Sequence, residues 1–312
     1  MKPALSVIFF TVSSGAGLGL AIWLLLLLLL VPDAALAQSW WIAAIAAGVL
    51  VSAGLASSTL HLANPRNAWR AATRFATSWL SREAVFSFVL YGVAGALLLV
   101  LWLGGGGLSW LKVLLAALTI LVALTILVCT AMIYGCLKTI PRWSTWHTVV
   151  AYPLLGLMSG LLLLAAVPGS TELTQAAGWS VPGLATALLV LGALLKGHYY
   201  AKFRQPKGIT NNAALGLKPG QVRLLDVGHS RGTFLTNEFG FELAREKAGM
   251  LKALVFALAF AAPLALLWAG SGSGAALAAA AAACVAGLLV ERWLFFAEAQ
   301  HVVRLYHGAK VV

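Results

Sequence analysis

Eight long apolar runs follow one another along this chain of 312 residues. A helix needs about 20 apolar residues to cross the hydrocarbon core of a membrane, and each run is about that long. The runs cover residues 5–31, 41–62, 85–103, 109–135, 146–167, 179–200, 249–269 and 273–296. We therefore predict an all-α integral membrane protein, with residues 1–312 forming a single membrane domain of eight transmembrane helices.

The charged residues indicate which way such a bundle faces. All but one of the 21 Lys and Arg residues fall in the segments on the side of the N-terminus, and Lys112 is the exception. Basic segments stay on the cytoplasmic side of a membrane because moving them across is costly. We expect both termini to be cytoplasmic, and we interpret the net charge of +12 as topology rather than nucleic-acid binding.

Two features of the first run have competing interpretations. Lys2, the apolar run and the segment 35–37 imitate a signal peptide, but the run is far longer than the apolar part of such a peptide, so we predict a retained helix. Gly15, Gly17 and Gly19 resemble a nucleotide-binding loop. Because no strand or soluble helix flanks them, we interpret them, with Gly156 and Gly160, as sites of close helix packing.

Cysteines and histidines indicate no metal centre in this chain. Cys129, Cys136 and Cys284 lie in apolar runs without CxxC spacing, which favours small core residues. The histidines lie in or beside the near-side segments, and no pair is evident at the depth that a bis-histidine haem requires. We predict no haem and no metal here.

A short helix is predicted over 65–77, between the second and third runs. Asn64 suits the N-cap and Pro65 the first helical position. Arg66, Arg70 and Arg74 recur every four residues and would form a cationic stripe on an interfacial helix. Such a stripe would anchor to lipid headgroups, or serve as a docking surface for an acidic partner or as a quinone mouth.

Ionisable residues near the membrane are the candidates for chemistry. His61 ends the second run, and Glu83 follows Ser81, the predicted cap of the third helix. Glu83 would either favour the positive helix end or form a proton-handling pair with His61. Glu291 and Arg292 would either neutralise each other or contribute to a proton path or quinone site.

Several segments together resemble the DMSO reductase anchor subunit family. They are STLHL at 58–62 with Pro65 and Arg66, WLSRE at 79–83, KTIPRW at 138–143, Arg292 and the opening residues 3–10. The resemblance implies an anchor that exchanges electrons with quinone in a bacterial inner membrane. It also implies two partners, a catalytic subunit with molybdopterin guanine dinucleotide and an iron–sulfur subunit with 4Fe-4S clusters.

The resemblance also implies roles for individual residues. His61, Glu83, Arg292 and Arg66 become the candidate quinone-binding residues. The cytoplasmic loop 201–248 and the helix 65–77 become the docking surface for the iron–sulfur subunit. The candidate docking residues are Arg70, Arg74, Arg82, Arg142 and Arg223.

The long loop favours the sulfite-oxidising branch of the family. GQVRLLD at 220–226, NEFGF at 237–241 and AREKA at 244–248 resemble the anchor of that branch. A cytoplasmic docking face also suits a sulfite oxidiser. The alternatives are an anchor for DMSO, polysulfide or thiosulfate, a purely structural tether, and a secondary transporter, although no internal repeat supports a transporter.

Overall fold

The computed structural model describes residues 3–60, 64–104, 107–204, 210–217, 222, 225–226, 247–270 and 272–307. Within them lie eight helices long and apolar enough to cross a membrane. In chain order they are α1 Leu5–Leu30, α2 Gln38–Thr59, α3 Trp79–Gly104, α4 Trp110–Gly135, α5 Trp146–Ala166, α6 Val181–Lys202, α7 Ala248–Ala269 and α8 Gly274–Ala297. The prediction of an all-helical protein with eight spans is confirmed. Most of the predicted loop 201–248 lies outside the described residues.

Serine side chains fix where several spans begin. The hydroxyl oxygens of Ser109, Ser180 and Ser273 accept hydrogen bonds from backbone N–H groups in the first turns of α4, α6 and α8. These bonds satisfy donors that a helix start otherwise leaves free.

The glycines of α1 and α5 bring these two helices into close contact. A Cβ at Gly156 would lie 2.9 Å from the carbonyl oxygen of Gly15, and one at Gly19 or Gly160 would collide with the facing backbone. A Cβ at Gly17 would lie 2.9 Å from the carbonyl oxygen of Ala47 on α2. The interpretation as packing residues is therefore confirmed for Gly17, Gly19, Gly156 and Gly160, whereas a Cβ at Gly15 would meet no atom within 4 Å.

The helices are packed unequally around this contact. α1 packs against α2, α4, α5 and α8, and α5 also packs against α6, so both lie in the centre of the bundle. α3 packs against α4 and the short helix that precedes it, and it does not pack closely against α2. Much of α3 is therefore exposed at the edge of the bundle, where a membrane would surround it.

Charge is distributed between the two ends as the sequence indicates. Lys112 is the one described Lys or Arg at the end opposite to the N-terminus, and its Nζ donates to the carbonyl oxygen of Gly107 at 2.9 Å. The other described cations lie in the half of the bundle that contains residues 3–5 and 302–307, which we call the near face.

The short helix on the near face differs from the predicted one. It is a 3₁₀ helix over Pro65–Arg74 instead of a helix over 65–77, and Asn64 occupies the N-cap without a side-chain hydrogen bond. A 3₁₀ helix has three residues per turn. Arg66, Arg70 and Arg74 are all exposed, but their spacing of four does not stack them on one face.

The start of α3 also corrects the prediction. Ser78, not Ser81, caps the helix, because its hydroxyl accepts from the Ser81 N–H at 3.3 Å. The Ser81 hydroxyl instead accepts from the Arg74 N–H at 3.0 Å. α3 begins at Trp79, so Glu83 lies in its second turn rather than at the helix end.

Candidate functional site

A cavity of about 910 Å³ lies at the near face, beneath the 3₁₀ helix. Five parts of the chain form its wall, namely the near ends of α1, α2, α3 and α4 and the 3₁₀ helix. The rings of Trp143 and Phe296 complete the wall. The lining includes Val7, Phe10, Ser52, Leu55, Thr59, Trp69, Ala72, Glu83, Ser87, Tyr91, Ile133, Tyr134, Trp143 and Phe296. The wall is mainly apolar with a few polar groups, which is the usual character of a site for an organic molecule.

Glu83 is the acidic side chain in the described wall of this cavity. It is 3% exposed and accepts a hydrogen bond from the Thr130 hydroxyl on α4. The same hydroxyl lies 3.0 Å from the carbonyl oxygen of Ile126. A protonated Glu83 could therefore donate to Thr130 while Thr130 donates to Ile126, so the same groups suit both protonation states of the carboxyl.

The cavity reaches the outer surface of the bundle between α2 and α3. Ser52 and Tyr91, one from each helix, line it there, and their hydroxyl oxygens are 2.7 Å apart. Both residues are exposed, as is Phe88 beside them. In a membrane this slot would open to the lipid, and its single hydrogen bond joins two helices that are otherwise loosely packed.

The structure brings together only part of the predicted quinone-binding set. Glu83 lines the cavity. His61 lies outside the described residues, two positions after Thr59, which also lines it. Arg66 is exposed and Arg292 belongs to a different buried cluster, and neither lines the cavity.

Arg292 and Glu291 form that cluster with a partner that the sequence analysis did not identify. Lys196 of α6 makes an ion pair with Glu291, and the Nε of Arg292 lies 2.6 Å from the same carboxylate. All three residues are at most 4% exposed. The guanidinium lies 4.1 Å from the centre of the Tyr152 ring. The pairing of Glu291 with Arg292 matches the first of the alternatives left open by the sequence, and Lys196 adds a second cation to the same carboxylate.

Two histidines that the sequence analysis did not pair are in contact. The Nε2 of His147, at the start of α5, lies 2.8 Å from the Nδ1 of His198, near the end of α6. His198 is exposed, whereas His147 is 1% exposed and its Nδ1 has no hydrogen-bond partner. The two residues are 51 positions apart in the sequence, so no local pattern indicates the pair. The contact arises because α5 and α6 run antiparallel and bring the start of one helix beside the end of the other.

The predicted docking arginines fall into two groups. Arg70 and Arg74 are exposed on the 3₁₀ helix, while Arg223 lies outside the described residues. Arg82 donates to the carbonyl oxygens of Phe75 and Ala76 at 3.0 and 2.8 Å, so it holds the turn before α3.

Arg142 also has internal partners. Its guanidinium lies 3.0 Å from the Glu298 carboxylate and donates to the Phe203 carbonyl oxygen at 3.2 Å. Lys252 lies 2.7 Å from the same carboxylate. These contacts join α7 and α8 to the segment between α4 and α5. Arg82 and Arg142 therefore bind other parts of this chain at the near face.

Comparison with known proteins gives consistent matches. The family model for the DMSO reductase anchor subunit (DmsC) matches residues 1–297. A sulfite dehydrogenase subunit of Allochromatium vinosum is 32% identical over 98% of this chain and 99% of its own length. The anaerobic dimethyl sulfoxide reductase chain YnfH of Escherichia coli is 29% identical over 40% of this chain and 44% of its own length.

Proposed function

The chain belongs to the DMSO reductase anchor subunit family, and we propose that it passes electrons from cytoplasmic sulfite oxidation to quinone. In this proposal sulfite is oxidised on a molybdenum-containing partner, and an iron–sulfur partner carries the electrons to the anchor. The quinone site is the cavity beneath the 3₁₀ helix. The proposal rests above all on one observation, the buried carboxyl of Glu83 in the wall of that cavity.

The cavity suits a quinone in size, polarity and access. Its volume of about 910 Å³ falls within the range of small-molecule sites. The slot between α2 and α3 would let an apolar tail extend into the lipid while the ring reaches Glu83. The site also lies at the near face, where an iron–sulfur cluster of a docked partner could approach it closely.

Reduction of a quinone to a quinol takes up two electrons and two protons. A titratable group beside the ring is therefore needed, and Glu83 with Thr130 can hold or release a proton without rearrangement. His61 follows the cavity-lining end of α2, and its imidazole would supply both a donor and an acceptor. Arg292 lies behind the cavity wall, so its proposed contribution to quinone binding is electrostatic. Arg66 is exposed on the 3₁₀ helix above the cavity, and its proposed contribution is made at the surface.

The near face is the proposed docking surface for the iron–sulfur subunit. Arg66, Arg70 and Arg74 are exposed there and would attract an acidic partner surface. The excess of basic residues at this end supports a cytoplasmic orientation of both termini and of the partners in a bacterial inner membrane. The catalytic subunit would bind through the iron–sulfur subunit.

Sulfite is proposed as the substrate because the sulfite dehydrogenase subunit matches almost the full length of this chain, including the loop 201–248. The dimethyl sulfoxide reductase chain matches less than half of it. The same comparison supports the proposed direction of electron flow, since sulfite oxidation releases electrons that quinone can accept.

The test is sulfite-driven reduction of a quinone analogue by the complex with its natural partners, wild type against His61→Ala. We expect the substitution to abolish quinone reduction while sulfite still reduces the iron–sulfur clusters. Activity with an S-oxide or polysulfide but not sulfite would retain the anchor and overturn the substrate. Full activity in His61→Ala would remove His61 from the site.

A further inference from the structure

Resting on the proposed quinone site, we propose that its protons enter at exposed His198, pass to buried His147, and continue beside Arg292 to Glu83. This path is separate from the cavity mouth between α2 and α3. It gives a role to a histidine pair and a buried ion cluster that electron transfer alone leaves unexplained.

The entrance is the histidine pair. His198 is exposed near the end of α6 at the near face, and its Nδ1 lies 2.8 Å from the Nε2 of His147. A neutral imidazole has one donor and one acceptor nitrogen, so two bonded rings can pass a proton from one to the next. The Nδ1 of His147 is buried without a partner on the inner side of the pair, which leaves a free position for a water molecule.

Two small cavities with polar groups in their walls continue the path inward. His147, Lys196 and Arg292 line one of about 10 Å³, which is room for about one water molecule. Arg292 and Tyr152 line a second of about 20 Å³ together with the hydroxyl-bearing residues Thr11 and Ser159. Arg292 borders both cavities, so its guanidinium could donate a hydrogen bond to a water molecule in either one.

The last part of the path runs through two tyrosines. Tyr152 lies under the Arg292 guanidinium and stacks on Tyr134, with 5.7 Å between the ring centres. Tyr134 lines the large cavity together with Glu83. A phenol both donates and accepts hydrogen bonds, so in this proposal water in the cavities beside Tyr152 and Tyr134 links their hydroxyls to Glu83.

The ion cluster explains why this region can hold water. Arginine stays protonated in proteins and does not itself release a proton. Lys196, Glu291 and Arg292 instead keep a polar environment deep among the helices, where an apolar wall would exclude water. We assign the movement of protons to the histidines, the water molecules and the tyrosine hydroxyls.

The reaction balances with this route. Sulfite and water give sulfate, two electrons and two protons on the partner, and the quinone takes up two electrons and two protons to become quinol. Each proton that Glu83 gives to the quinone is replaced from the near face through His198. Electrons and protons then arrive from the same side, and turnover moves no net charge across the membrane.

The experiment measures sulfite-driven reduction of a short-chain quinone by the whole complex in four forms: wild type, His198→Ala, His147→Phe and His307→Ala. His307 lines neither small cavity and is the matched control. We expect His198→Ala to slow quinone reduction at least about tenfold, as loss of a proton-transfer group does. Added imidazole should restore the rate because the missing ring is exposed, and cluster reduction by sulfite should stay unchanged.

Three results would overturn the path. Rates in His198→Ala and His147→Phe equal to that of His307→Ala would show that protons enter elsewhere. A loss that imidazole does not restore would assign His198 a structural role. Wild type that reduces its clusters but no quinone would overturn the proposed function itself, and the path with it. Should His147→Phe fail to assemble, the exposed His198 decides alone.

Discussion

Glu83 and Glu291 are both buried in membrane-spanning helices, yet their surroundings differ completely. Glu291 lies between the ammonium of Lys196 and the guanidinium of Arg292, and a protein interior requires such pairing of a buried charge. Glu83 has the hydroxyl of Thr130 as its hydrogen-bond donor and a large cavity in front of it. The carboxylate between two cations is held in its ionised form, whereas the carboxyl beside the cavity is the one to which the proposed function assigns proton exchange.

The largest effect on stability is expected at Glu291. Glu291→Gln leaves two buried cations without their counter-charge, and breaking such a cluster costs about 3–5 kcal/mol. Unfolding of the purified chain in detergent, followed by heat or denaturant, would measure this loss. Glu172→Gln makes the same change at an exposed position at the other end of the bundle and serves as the control. Equal stability of the two variants would contradict the paired role of Glu291.

A smaller loss is expected when Arg292 is changed to Lys. The charge remains, but the flat guanidinium that lies 4.1 Å from the Tyr152 ring centre is lost. A desolvated cation–π contact contributes about 2 kcal/mol, and Lys does not reproduce the planar geometry. The same unfolding measurement checks this value. A variant as unstable as Glu291→Gln would mean that the geometry of Arg292 matters as much as its charge.

The smallest change in stability is expected at Thr130. Thr130→Val removes the hydroxyl that donates to Glu83, which costs about 1 kcal/mol, and Thr130→Ser should restore it. The quinone-reduction rate of both variants should be measured beside their stability. If Thr130→Val lost far more stability than this, Glu83 would have to be a structural carboxylate like Glu291.

The sequence predicts the spans well and the site only in part. Runs of apolar residues specify eight helices because each has to cover the thickness of a membrane. The glycines of α1 and α5 indicate close helix packing, but not which helix each of them faces. The start of α3 is harder to predict. Trp79 and Arg82 extend the helix beyond its apolar run, since Arg82 bonds the carbonyl groups of the preceding turn.

The site residues that sequence analysis did not identify have partners that lie far away in the sequence. Glu83 is identifiable from its local segment, but its partner Thr130 lies 47 positions away. Lys196 and the pair of His147 and His198 escape sequence analysis for the same reason. No local pattern marks a residue whose partner is supplied by another helix, and the sequence assigns Arg292 to the quinone site although it lies in a separate cluster.

The role of Glu83 is tested by measuring quinone reduction in the sulfite-reduced complex with Glu83→Gln against Glu172→Gln. We predict that Glu83→Gln lowers the rate by about a hundredfold, since an amide cannot exchange a proton. Its clusters should still be reduced by sulfite, and its stability should match that of Glu172→Gln within about 1 kcal/mol. Full quinone reduction by Glu83→Gln would contradict proton donation by Glu83 and place the quinone outside this cavity.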